Sequence, residues 1–84
     1  LFRSSAASDV YKRQVRYQST NPMQNERFER ALSDAEVRLQ GTGRVLVRPS
    51  GTEPLIRVMA EGEDEAMITG VVDDLCSVIE QVSA

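Results

Sequence analysis

With 84 residues, 40% of them hydrophobic and 27% charged, the chain is one small folded domain at most, and a domain of this size buries only about 60% of its unfolded surface. The net charge of −3 divides into +3 over residues 1–20 and −6 over the remainder; an acidic body argues against a nucleic-acid partner, which needs a basic stripe. There is no histidine and Cys76 is the single cysteine, which excludes an internal disulfide and any Cys–His or Ser–His catalytic pair.

Taken in chain order, residues 1–14 (LFRSSAASDVYKRQ) have no sustained period and few apolar positions, and read as a disordered or foreign leader. Residues 15–18 alternate and suit a short strand. Ser19, Thr20, Asn21 and Pro22 make a turn cluster. A helix is predicted over residues 25–40, with Asn25 as N-cap, Glu26 and Glu29 in the first turn and Gly41 just past the end. Phe28, Leu32, Ala35 and Leu39 recur at helical spacing and mark its buried stripe. Residues 44–48 and 55–60 are β-branched and short, and read as a hairpin.

The register of that hairpin follows from burial. Directly opposed residues share a face. With Arg48 opposite Leu55 or Arg57, the residues Val45, Val47, Ile56, Val58 and Ala60 fall on one wholly apolar face, and Arg44, Arg48 and Arg57 fall on the other. A slip of one residue would bury an arginine. Arg48 and Arg57 are therefore expected to converge at the loop end. A second helix follows, in which Ile68, Val71, Val72, Leu75, Val78, Ile79 and Val82 keep helical spacing. Glu63, Asp64 and Glu65 lie at its start, where the dipole favours anions and where three adjacent acids do not face one point as metal ligands would. Gly70 interrupts the pattern at a place where the helix is expected to approach the sheet. Cys76 falls in the apolar stripe as a buried thiol. The predicted fold class is α+β, a small antiparallel sheet with two helices packed on one face. No apolar run approaches the ~20 residues of a membrane span.

The chemistry concentrates in the run Arg48-Pro49-Ser50-Gly51-Thr52-Glu53-Pro54, with Arg57 beyond it. Gly51 permits positive φ and lets backbone N–H groups point at an anion. Ser50 and Thr52 supply hydroxyl donors. Arg48 and Arg57 can each grip a phosphate with paired N–H bonds, which lysine cannot do. Pro49 and Pro54 stiffen the ends. Glu53 is repulsive to phosphate, so it is expected to pair with an arginine, orient the loop or meet a sugar hydroxyl. The run is not a P-loop, because it lacks the G-x-x-x-x-G-K-[ST] pattern and a following helix. An ordinary hairpin turn and a free-standing anion-binding module are the competing readings.

Residues 43–65, GRVLVRPSGTEPLIRVMAEGEDE, closely resemble the C-terminal domain of the α-D-phosphohexomutases, and the likeness extends over about residues 15–84. Within that family the pattern is nearest the bacterial enzymes that interconvert glucosamine 6-phosphate and glucosamine 1-phosphate, with phosphomannomutase and phosphoglucomutase as alternatives. The resemblance implies that Arg48, Ser50, Gly51, Thr52 and Arg57 hold the phosphate of the sugar that is not reacting. It also implies a cytoplasmic four-domain parent, whose phosphoserine and Mg2+ loops have no counterpart here. No catalytic or metal residue is then expected in this chain, no cofactor of its own, and no activity alone. Its expected partners are a phosphosugar and the remaining domains, with neither nucleic acid nor membrane. Residues 4–14, SSAASDVYKRQ, depart from the family and resemble translated read-end sequence. The chain does not begin with methionine and is expected to be a piece of a longer protein.

Overall fold

The computed structural model describes residues 9–18 and 21–83. The elements run β1 (Asp9–Arg16), a short 3-10 turn (Pro22–Gln24), α1 (Glu26–Leu39), β2 (Gly43–Pro49), β3 (Leu55–Gly62) and α2 (Glu65–Ser83). The strands form one antiparallel sheet in the order β1-β3-β2, so β3 is central. The α+β architecture expected from the sequence is the one observed.

Local chemistry explains where the elements start and stop. Asn21 Oδ1 accepts a hydrogen bond from the Met23 N–H at 2.9 Å, and Asn25 Oδ1 accepts from the Arg27 N–H at 2.8 Å. The two asparagines thus satisfy N–H groups that a helix start leaves without partners. Gly41, at φ +82°, ends α1 in the left-handed region that favours glycine. Asp64 Oδ1 accepts from the Met67 N–H at 3.2 Å and opens α2. At the far end of the hairpin, Gly43 and Gly62 are directly paired. A Cβ at Gly43 would run into the carbonyl oxygen of Glu61, so only glycine lets the strands close there.

Both helices cover one face of the sheet. Val15, Ile56, Val58 and Ala60 from the strands meet Phe28, Ala35 and Leu39 from α1 and Ile68, Val71, Val72, Leu75, Cys76 and Ile79 from α2 in one continuous core. Each large side chain buried this way contributes about 1.5–3 kcal/mol relative to exposure. Leu32, Val45, Val47 and Val78 pack around its margin. The predicted stripe of α1 and the predicted inner face of the hairpin are found in place, and so is that of α2 except for Val82, which is only half-buried and stands outside the core.

Two expectations are corrected. The first strand begins at Asp9, not Val15, so residues 9–14 of the supposed leader belong to the sheet. Its alternation is disguised because Arg13, opposite the buried Val58, faces the helices and reaches Asp73 of α2 at 3.0 Å. Residues 1–8 of that leader, and Ser19 and Thr20 of the turn cluster, lie outside the described residues. Gly70 does not approach the sheet; a Cβ there would meet the guanidinium of Arg38 on α1 at 3.8 Å.

Candidate functional site

The sheet face away from the helices is built by alternation alone. Because Val47 and Val58 pair on the core side, Arg48 and Arg57, the next pair toward the loop, emerge on the opposite side as direct cross-strand partners. Gln14 of β1 pairs with Arg57 from its other flank. Lys12 and Arg16 extend the same face along β1, opposite Met59 and Leu55. Arg48 and Arg57 are both exposed. Among the described residues, neither guanidinium donates a hydrogen bond or pairs with a carboxylate. Two guanidiniums held side by side without a counter-charge repel each other, which is the arrangement an anion relieves. A shallow groove of about 440 Å³ runs from Arg57 toward Lys12, lined also by Arg13, Gln14, Val58 and Met59.

The loop between β2 and β3 is shaped by its own backbone. The Ser50 N–H donates to the Leu55 carbonyl at 2.8 Å, and the Leu55 N–H to the Glu53 carbonyl at 2.8 Å. The Tyr17 N–H donates to the Pro54 carbonyl at 2.9 Å, tying the end of β1 to the loop. Ser50 Oγ accepts from the N–H groups of Thr52 and Glu53 at 3.4 and 3.3 Å. The hydroxyl accepts these two bonds and still has one proton to donate.

Gly51 is corrected in one respect: its φ is not positive, so left-handed geometry is not why glycine stands there. A Cβ at Gly51 would meet no protein atom within 4 Å. The protein itself leaves that space open. Thr52 and Glu53 are exposed at the tip. Glu53 reaches Arg16 of β1, at 3.4 Å between Nη2 and Oε2, and neither loop arginine. Of the three roles the sequence left open for Glu53, pairing with an arginine is the one observed. Which arginine could not be read along the chain, because Arg16 joins the site only through the pairing of β1 with β3.

Away from the loop, ion pairs and hydrogen bonds tie the elements to one another. Arg38 meets Asp74 at 2.9 Å between the two helices. Tyr11 donates its hydroxyl to Asp73 at 3.3 Å, and desolvation, followed by the Asp73 carboxylate, raises its pKa above the ordinary tyrosine value. Burial pushes the Cys76 thiol up as well, which suits a core residue and not a nucleophile. Among the described residues no three acidic or sulfur side chains come together at one point. No described helix is long and apolar enough to cross a membrane.

Residues 11–78 match the family model of the phosphoglucomutase/phosphomannomutase C-terminal domain. The chain is 50% identical over 70 residues to a phosphoglucosamine mutase of Xanthobacter autotrophicus, covering 83% of this chain and 16% of that one. Against the phosphoglucosamine mutase of Rhodospirillum rubrum it is 67% identical over 54 residues, covering 64% of this chain and 12% of the other. The chain thus spans about one sixth of the length of these relatives, or less. Among solved structures, Aspergillus fumigatus N-acetylphosphoglucosamine mutase in complex with glucose 1,6-bisphosphate superposes with a TM-score of 0.65 at 16% identity, over 93% of this chain and 16% of that one. At that identity the likeness speaks for the fold.

Proposed function

The chain belongs to the phosphoglucomutase/phosphomannomutase C-terminal domain family, and on that premise we propose that it is the substrate-phosphate clamp of a phosphosugar mutase. The observation that carries the reading is the cross-strand pair Arg48–Arg57, exposed and without a counter-charge among the described residues, beside Ser50 at the start of the loop. A phosphate dianion seated there gains paired, charge-assisted N–H bonds from each guanidinium. It would also enter the open space over Gly51 and come within reach of Thr52.

These groups read phosphate shape and charge, not the sugar. The sugar itself is inferred from the relatives: the parent is a phosphoglucosamine mutase interconverting glucosamine 6-phosphate and glucosamine 1-phosphate through a bisphosphate. A clamp indifferent to which carbon bears the phosphate suits such a reaction, because either end of the intermediate must be held in turn. The phosphoserine and the Mg2+ site of the parent belong to domains outside this chain, which alone should turn over no substrate. The unpaired, buried Cys76 accords with a reducing, cytoplasmic setting.

Titration of the chain with inorganic phosphate, followed through amide NMR shifts, tests the clamp. Shifts confined to residues 48–57 support it, and an unchanged spectrum at millimolar phosphate overturns it. Assay of the complete enzyme on glucosamine, glucose and mannose phosphates tests the sugar.

A further inference from the structure

We propose that Arg16 is a positioning residue for the phosphate loop, acting through Glu53; the inference rests on the reading of that loop as a phosphate clamp. Glu53 is the loop's own carboxylate, one residue from Thr52 and four from Arg57. A carboxylate that swings onto Arg48 or Arg57 occupies the donors a phosphate needs and repels the dianion as well. In this structure Glu53 does neither, because Arg16 Nη2 holds its Oε2 at 3.4 Å.

The backbone makes that hold possible. Arg16 is the last residue of β1 and pairs directly with Leu55, the first residue of β3 after the loop. The next residue, Tyr17, bonds the Pro54 carbonyl at 2.9 Å. The end of β1 is thereby fastened along the outer side of the loop, across β3 from Arg48. The Arg16 side chain lies on the same sheet face as Arg57, so it reaches the loop from the flank opposite β2. Glu53 is drawn toward β1 and the two facing arginines are left clear.

Both side chains of the pair are more than half exposed, at 63% and 57%. An exposed pair is weak as a source of stability and is screened by salt. It is strong enough to choose between two resting places for one carboxylate. Removing Arg16 leaves Arg48 and Arg57 as the cations at this end of the sheet without a carboxylate partner among the described residues. Glu53 then turns inward and competes with phosphate.

The 84-residue chain, titrated with inorganic phosphate and read at the Gly51 and Thr52 amides, separates this role from its rivals. Arg16→Ala is expected to weaken phosphate binding by about two- to fivefold at low salt, the range of exposed pairs, and the deficit shrinks as sodium chloride is added. Adding Glu53→Gln to Arg16→Ala restores wild-type affinity, Glu53→Gln alone binds phosphate at least as tightly as wild type, and Arg16→Lys binds nearly as well. Wild-type affinity in Arg16→Ala overturns the inference. So does a double variant as weak as Arg16→Ala, which would make Arg16 a direct ligand or a support of the fold. A wild-type chain without phosphate shifts overturns the clamp itself, and this inference with it.

Discussion

Arg48 and Arg57 stand directly opposite each other on neighbouring strands, on the sheet face that the helices leave uncovered. Like charges in that relationship cost stability. Replacing either by glutamine, which keeps the polar stem and removes the charge, should leave the chain as stable as before or raise its stability by up to about 1 kcal/mol. Urea midpoints measure this. The same variants in the complete enzyme should weaken substrate binding by about 1.5–3 kcal/mol each, the worth of a hydrogen bond to a charged group. A loss of both stability and affinity would point to a structural pair.

Arg44 provides the internal control. It pairs with Glu61, four residues along β2 from Arg48, or about 13 Å at strand spacing. Arg44→Ala should change KM far less than either loop arginine. Equal damage from Arg44→Ala would contradict the register argument for the site.

Gly51 separates the needs of the fold from those of the ligand. Because a Cβ at Gly51 meets nothing within 4 Å and φ is not positive, Gly51→Ala should leave stability unchanged or raise it by about 0.4–1 kcal/mol through the unfolded chain. Phosphate affinity should nevertheless fall, since the methyl group fills the space the anion approaches. Calorimetric unfolding together with phosphate titration checks both halves.

Ser50 organises the loop through its side-chain oxygen. Ser50→Ala removes the acceptor for the Thr52 and Glu53 N–H groups, so hydrogen exchange at those two amides should quicken while the core amides of β3 stay protected. Phosphate affinity should drop with it. Unchanged exchange at both amides would mean that the loop is held by its backbone bonds alone.

The buried thiol sets an alkaline limit. Burial raises the Cys76 pKa in the folded chain, whereas an unfolded thiol ionises near about pH 8.5. Below that pH both states hold the proton and the contribution is complete. As pH rises past it the unfolded chain gains charge first, and stability falls until the folded thiol also ionises. Tyr11, raised by desolvation and by Asp73, adds a second decline above about pH 10. Urea midpoints at pH 7.5 and 9.5 should therefore fall more for wild type than for Cys76→Ala, and equal slopes would remove Cys76 from the account.

Much of this was legible without coordinates, for definite reasons. In residues 44–48 and 55–60 one alternate set is wholly apolar and the other holds every arginine, so the first must be core, and that alone places Arg48 and Arg57 together. Phe28, Ala35 and Leu39, like Ile68, Leu75 and Ile79, declare their helices by spacing, because a helix buries a stripe recurring every three or four residues. Asn25 and Gly41 mark one helix by local chemistry that needs no distant partner.

What the tertiary structure decided is β1 and everything β1 brings. Its ladder to β3 joins residues more than 38 positions apart, and it is made of backbone N–H and C=O groups that any side chain permits. Of its residues Val15 alone is buried, and Arg13 occupies a core-side position by pairing with Asp73, so no apolar alternation announces it. The Arg16–Glu53 contact, the Tyr17–Pro54 bond and the placement of Gln14 beside Arg57 all depend on that ladder. Composition and spacing along the chain could name the arginines that face the loop. Only the sheet, by bringing a third strand against the second hairpin strand, could say which arginine takes the glutamate.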